Sequence, residues 1–434
     1  MGRGSSVTRL AYLFLLIVLL LIPIHDKLAG GAQAEYNHAW RLFQQGYLAR
    51  SQQEAELGYK QFLISNPPWA TRFQLLEAES MLQRGMYDAA LGVLGAYRDF
   101  GSEPETVQKL AIETFALTRQ EQVAVANQRL AQAEAMCSRA DFATCGEVIS
   151  ARANLAIKHL QFDDARQDFL KALAFARSHD DPWLQASATL NLGYIAIQVE
   201  HFDEAVDWSR SASVDAARFG YENLAQGAAG NLGWAFYQLG DSERALEQFL
   251  EAEKSAERLG NLRYQLKWLS TAGYIYRDSG DWAHASDSYR RALYLAQQIR
   301  SREDIVNALE DLARVSVLSG KLQDARRYID QLTFMENATA SRPSAYLLLT
   351  EGMLAASLHE DSRAEDYFRG IQNDSSSQLT TRLSAGAELA RLLESQHHIE
   401  AAEQMYRATL TAYESARATL KSEELRLPFG ANAT

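Results

Sequence analysis

A chain of 434 residues, 47% apolar and 23% charged, can bury a core and is neither a disordered nor a collagen-like polymer. Its net charge of −12, with no block of lysine or arginine, lacks the positive footprint that tracks phosphates, so nucleic acid is not an expected partner. The length alone suggests two or three domains, unless the chain repeats itself and grows in one dimension.

Residues 1–34 differ from the rest. Arg3 and Arg9 precede the apolar run 10–24, and small and polar residues follow up to Ala32-Gln33-Ala34. This is the pattern of an export signal. The run is shorter than the roughly 20 residues of a comfortable transmembrane helix, which favours cleavage; His25-Asp26-Lys27 would instead head an uncleaved anchor. Either way residue 35 onward is expected outside the cytoplasm, in a periplasmic or other extracytoplasmic space, touching the membrane only through this segment.

Residues 35–145 carry a helical period with weak repeat marks. Gly46-Tyr47 forms a turn, Asn66-Pro67-Pro68 closes one repeat, Gly85 to Asp88 with Ala90 opens the second helix of another, and Pro104 starts a helix. Departure from consensus is expected of terminal repeats. Cys137 and Cys145 flank a turn. They either close a short loop as a disulfide in an oxidising compartment or are two small apolar residues at helix ends; their spacing is not that of a zinc site.

Residues 146–340 repeat every forty positions. Ala165, Ala205, Ala245, Ala285 and Ala325 stand in register, each followed seven residues later by Ala172, Ala212, Ala252, Ala292 or Leu332. A second register is Leu192-Gly193, Leu232-Gly233, Ala272-Gly273 and Leu312-Ala313; a third marks turns at Gly240, Gly280 and Gly320, with Asp241 and Asp281 placed to N-cap the next helix. The spacing predicts stacked helical hairpins that meet at small residues, Gly193 with Ala205 and Gly233 with Ala245. Phe169, Phe249 and Tyr289, four residues after their alanines, would pack on the neighbouring hairpin.

The segments 228–257 (AAGNLGWAFYQLGDSERALEQFLEAEKSAE) and 270–296 (STAGYIYRDSGDWAHASDSYRRALYLA) resemble tetratricopeptide repeats in a forty-residue form. They match family positions 8, 20 and 27 in most copies and lack the usual tryptophan at position 4. The resemblance implies an all-α fold, a right-handed α-solenoid of stacked hairpins, with the first helix of each hairpin facing a concave groove. Position 9 of that helix is then Asn154, Tyr194, Trp234, Tyr274 and Arg314 in successive repeats; position 6 is Asn191, Asn231, Thr271 and Asp311; position 12 adds Tyr237 and Arg277. Such a ladder of aromatics and amides offers contact area at low rotamer cost, which suits recognition of a protein or peptide segment. Aromatics that merely pack between repeats are the alternative.

Residues 341–429 hold weaker repeats, 344–371 with Gly352, Ala364 and Phe368, and 385–410 with Leu389, Ala390, Ala402 and Tyr406; residues 430–434 are a tail. The stretch 406–429 is similar to the long helix that closes the repeat array in bacterial proteins where such repeats precede a CHAT module, a caspase-like peptidase. No catalytic histidine or cysteine of that module lies in this chain, so the resemblance implies a regulatory or substrate-recruiting half at most. His397-His398, Asp163-Asp164 and His359-Glu360-Asp361 fall at expected turns, where solvated polar residues need no ligand. No glycine-rich phosphate loop, nucleophile elbow or HExxH helix occurs, so neither catalysis, metal nor cofactor is expected. The leading expectation is a non-catalytic scaffold that binds a protein or peptide segment in its groove.

Overall fold

A computed structural model describes residues 31–96, 102–337 and 343–418. The export signal expected over residues 1–34 lies outside the described residues up to residue 30, and so does the chain beyond Ala418; residues 31–34 form the first turn of a helix. The described residues form twenty helices and no strand, so the fold is all-α. The helices of the first part are α1 (31–44), α2 (Leu48–Phe62), α3 (Pro67–Gln83), α4 (Tyr87–Gly95), α5 (Glu103–Arg119), α6 (Val123–Cys137), α7 (Cys145–Lys158), α8 (Phe162–Ser178), α9 (Pro182–Gln198) and α10 (Phe202–Phe219). There follow α11 (Glu222–Gln238), α12 (Ser242–Arg258), α13 (Leu262–Asp278), α14 (Trp282–Gln298), α15 (Arg302–Leu318), α16 (Leu322–Asn337), α17 (Ala345–Ser357), α18 (Asp361–Asn373), α19 (Leu379–Ser395) and α20 (Ile399–Ala418). Consecutive helices pair as hairpins, and the odd-numbered helix is the first of each pair. Two compact units result, Met1–Ala228 and Ala229–Thr434, with the boundary inside α11.

Turn chemistry sets the metre. From Leu160 to Gly320 a residue with positive φ recurs every twenty positions: Leu160, Asp180, Glu200, Gly220, Gly240, Gly260, Gly280, Arg300 and Gly320. Seven of the nine end a helix with the same pair of bonds, and Asp180 and Gly220 keep only the second of the pair. At Gly240 (φ 80°) its own N–H donates to the Tyr237 carbonyl at 3.0 Å and the Asp241 N–H donates to the Phe236 carbonyl at 2.9 Å. This pair of bonds satisfies carbonyls that the helix leaves over. Leu160 and Gln161 repeat the pattern to Ile157 and Ala156, both at 2.9 Å, without a glycine. A branched side chain there costs about 1–2 kcal/mol, so the stacking of the hairpins outweighs local preference. The residue after the turn then caps the next helix: Asp241 accepts from the Arg244 N–H at 3.0 Å and Asp281 from the His284 N–H at 3.1 Å, both as expected from the sequence. His359 and His397 occupy the same left-handed turn position.

The alanines of the register, Ala165, Ala205, Ala245, Ala285 and Ala325, are fully buried. The glycines behave otherwise than the sequence suggests. The space above each is filled by the residue sixteen positions later in the same hairpin. A Cβ on Gly233 would stand 2.8 Å from the Phe249 ring, one on Gly273 2.5 Å from the Tyr289 ring, and one on Gly352 2.6 Å from the Phe368 ring. At Gly193 the sixteenth residue is small, and Ser209 Oγ would lie 2.6 Å away. Phe249 and Tyr289 are therefore knobs seated within their own hairpin, although Phe249 also stacks on Trp268 of α13 at 6.0 Å. Bulk is complementary to the missing Cβ at Gly233, Gly273 and Gly352, and at Gly193 a serine takes that place.

In the first unit Trp183, at the start of α9, meets Phe43 at 5.2 Å and Trp40 at 6.3 Å, both on α1, and Tyr221 at 5.0 Å. First helices four hairpins apart thus touch across the unit's inner face. Cys137 and Cys145 are joined as a disulfide with Cα atoms 5.8 Å apart, closing the link between α6 and α7.

Two measurements test this packing. Gly273→Ala should lower unfolding stability by about 1–3 kcal/mol through overpacking against Tyr289, whereas Gly370→Ala, whose Cβ would meet nothing within 4 Å, should raise it by up to about 1 kcal/mol; chemical denaturation of both variants checks the sign. Reducing the disulfide frees a short loop and should cost about 2–3 kcal/mol, seen as an earlier urea midpoint that Cys137→Ser reproduces.

Candidate functional site

Six of the residues picked out on the repeat period converge in the second unit. Trp234 and Tyr237 on α11, Thr271, Tyr274 and Arg277 on α13, and Asp311 on α15 line one hollow of about 300 Å³. They converge because first helices follow one another at a constant forty-residue interval, so equal positions fall side by side. Trp234 is held by edge-to-face contacts with Tyr237 and Phe249, each at 5.9 Å. Its anchor is thus the knob that seats on Gly233.

A polar network crosses the floor. The Tyr237 hydroxyl donates to Asp278 Oδ2 at 2.8 Å. Arg277 donates from Nε (3.1 Å) and Nη2 (2.9 Å) to Asp278 Oδ1, and from Nη1 to the Tyr346 hydroxyl at 3.4 Å. Tyr346 in turn donates to Asp311 Oδ1 at 3.3 Å, and Tyr274 makes a further side-chain hydrogen bond to Asp311. Asp311 is only 5% exposed. Burial pushes its carboxyl up to about 7, against the opposing pull of Arg277 and of the Tyr346 hydrogen bond. Burial likewise raises Tyr237, Tyr274 and Tyr346, so these hydroxyls stay protonated and act as donors.

The other ladder residues lie elsewhere or face inward. Even among the six, Thr271 commits its Oγ1 to the Lys267 carbonyl of its own helix at 2.9 Å. Arg314 lies over the Tyr346 ring at 4.8 Å, behind the lining. Asn231 is half-buried three residues before Trp234. Asn154, Asn191 and Tyr194 belong to the first unit; both asparagines donate to carbonyls of their own helices, Ser150 and Ser187, at 2.8 Å, and Tyr194 is exposed. The expected continuous ladder is thus a cluster in one unit and separate residues in the other.

Four lining residues lie outside the ladder: Ile275, Asn307, Glu310 and Tyr346. Asn307 stands two helical turns before Arg314 on the same face of α15, and Tyr346 the same distance before Met353 on α17. Extending the face by i−7 from position 9 finds both. A larger, more open hollow of about 580 Å³ beside α15 and α16 includes Ile305, Arg326 and Phe334 and none of the ladder residues. A second set of acids, half-buried, lies on first helices of the first unit, Glu79 on α3 and Glu147 on α7. Burial pushes Glu79 up to about 7 and Glu147 well above the usual carboxylate range, each reinforced by neighbouring carboxylates. Among the described residues no group of three histidine, cysteine or carboxylate side chains is placed to hold a metal, and no helix is long and apolar enough to cross a membrane.

No family model matches the chain. It is similar to the outer dynein arm-docking complex subunit 4 of Bos taurus, 26% identical over 205 residues, and to that of Mus musculus, 27% identical over 177 residues. These matches cover 45% and 38% of this chain and only 28% and 27% of the relatives, so the chain spans little more than a quarter of their length. Among solved structures, the apo form of RapI superposes with a TM-score of 0.63 at 12% identity, covering 80% of this chain and 99% of that one. The apo form of the quorum sensor NprR from B. thuringiensis gives 0.55 at 16% identity, over 79% and 98%. A Rap protein complexed with competence and sporulation factor gives 0.52 at 14% identity, over 89% and 98%. The shared property is the fold, a stack of tetratricopeptide-like helical hairpins.

The raised carboxyl of Asp311 has a definite consequence for stability. Between the ordinary carboxylate range near 4 and about 7 the folded state holds a proton that the unfolded state has lost, so stability falls as pH rises through this window and is flat above it. Glu77, Glu79 and Glu147 are pushed the same way, so the Asp311 share is the difference between wild type and Asp311→Asn. Melting curves from pH 4 to 8 should show a smaller decline in the variant.

Proposed function

We propose that the chain is a non-catalytic scaffold that binds a protein or peptide segment on the inner face of its second unit. The observation that carries this reading is the convergence of Trp234, Tyr237, Tyr274 and Arg277 on one hollow from helices whose spacing is dictated by the repeat. Half-buried aromatics around a few fixed polar groups are the usual make-up of a recognition site. In the first unit, by contrast, α1 and α9 already meet through Trp40, Phe43 and Trp183, which leaves less inner face for a ligand. The similarity to docking-complex subunits, and to a Rap protein complexed with competence and sporulation factor, supports an interaction role.

We also infer export of the mature chain. The apolar segment after Arg3 and Arg9 supports it, and a Cys137–Cys145 bond suits an oxidising compartment. A link to a CHAT module rests on the sequence 406–429 alone, of which the described part is the end of α20.

Selection of random displayed peptides on the wild-type protein tests the scaffold reading. Selected peptides should bind Trp234→Ala at least tenfold more weakly while its melting temperature stays within a few degrees of wild type, and should bind Tyr194→Ala unchanged. Selected binders indifferent to Trp234→Ala would refute a site in this hollow.

A further inference from the structure

The polar floor of the hollow says which side chain of a ligand enters it, given the scaffold reading on which this step rests. We propose that the hollow receives a cationic side chain, lysine or arginine, whose charge is met by Asp311 between the rings of Trp234, Tyr237 and Tyr274.

Four observations lead there. The volume of about 300 Å³ is at the bottom of the usual range for ligand sites and suits one side chain rather than a whole segment. Asp311 is buried, and the hydrogen bonds it receives from Tyr346 and Tyr274 come from neutral hydroxyls. The nearby cation relieves it only in part, because Arg277 directs its nitrogens to Asp278 and to the Tyr346 hydroxyl. An ionised carboxylate in such surroundings costs free energy that a guest of opposite charge returns. The walls, moreover, already accept cations within the protein itself, since the Arg277 guanidinium lies over the Tyr274 ring at 5.2 Å and that of Arg314 over Tyr346 at 4.8 Å.

The fourth observation is independent of charge. Tyr289 is fully buried, its hydroxyl has no hydrogen-bond partner, and its ring packs against Tyr274 at 5.9 Å. The hydroxyl interacts electrostatically with Asp311, Arg277 and Tyr346, which places it toward the same floor. A buried hydroxyl left unpaired is rare in a finished structure. Tyr289 does not itself line the hollow, but its hydroxyl lone pairs are left to accept from a donor that reaches the floor, and an ammonium or guanidinium carries donors only. An anionic guest on Arg277 is the competing case: it would have to displace Asp278 and approach Asp311 and Glu310.

The test uses five acetylated, amidated nonapeptides of alanine and serine that differ only at the central residue: arginine, lysine, citrulline, norleucine or glutamate. Binding is read on the full chain from the indole ¹H–¹⁵N cross-peak of Trp234, assigned by its loss in Trp234→Phe. The arginine or lysine peptide should bind at least tenfold more tightly than the citrulline and norleucine peptides, and Asp311→Asn should abolish that preference. The citrulline comparison is made on wild-type protein, so it stands even if the variant folds poorly. Equal affinity of the arginine and citrulline peptides overturns the charge assignment and leaves the scaffold reading intact. Tighter binding of the glutamate peptide overturns it in favour of an anion site on Arg277. If none of the five shifts the cross-peak at millimolar concentration, the cation site is refuted, while the scaffold reading is judged separately by the displayed-peptide selection.

Discussion

Insertion of a bulky side chain into the gap left by a glycine sixteen residues earlier is the contact on which the fold depends. Phe249 over Gly233, Tyr289 over Gly273 and Phe368 over Gly352 repeat it through the second unit. Each seats a ring where an alanine would already collide, so the two helices of a hairpin are held in one register. The knob is also the anchor of the functional surface. Trp234 leans on Phe249 and Tyr274 on Tyr289, so the groove aromatics are oriented by the same rings that hold the hairpins together. Packing and recognition share their side chains, and rigidity of the hollow follows from this sharing.

The two units use one repeat to different ends. In the first, aromatic contact between Trp183 and the α1 residues Trp40 and Phe43 joins helices distant in sequence, and the acids on the inner face are pushed toward neutrality. In the second, Arg277 and Tyr346 touch from helices two repeats apart yet leave a hollow above them. Its floor combines tyrosines held protonated by burial with an aspartate whose charge is undercompensated. The turns between helices absorb the cost of keeping this spacing: at Leu160, Glu200 and Arg300 the chain adopts a left-handed conformation without glycine, because a helix one residue longer or shorter would move every knob off its gap.

Much of this is legible in the chain. The alanine register, the turn glycines at 240, 280 and 320, and the caps Asp241 and Asp281 appear as local signals and are found where the period puts them. The aromatic ladder is legible as well, since position within a helix determines the face. Its grouping is not. Asn154 and Asn191 hydrogen-bond to their own helices, a choice that depends on neighbours the period does not specify. Asn307 and Tyr346 complete the hollow from a face continued two turns further, and Tyr346 lies in a repeat whose register has decayed.

The sequence by itself determined that the chain is helical, that its helices pair with a forty-residue period, and which residues share a face, because all three follow from local geometry at 3.6 residues per turn. Tertiary structure alone decided that glycines receive bulky knobs rather than alanines and that Asp311 is buried beside Tyr346. It alone decided, too, that six of the ladder residues gather on one hollow of the second unit. These depend on the angle and distance between helices, which are set by the summed packing of many side chains and have no signature at any one position.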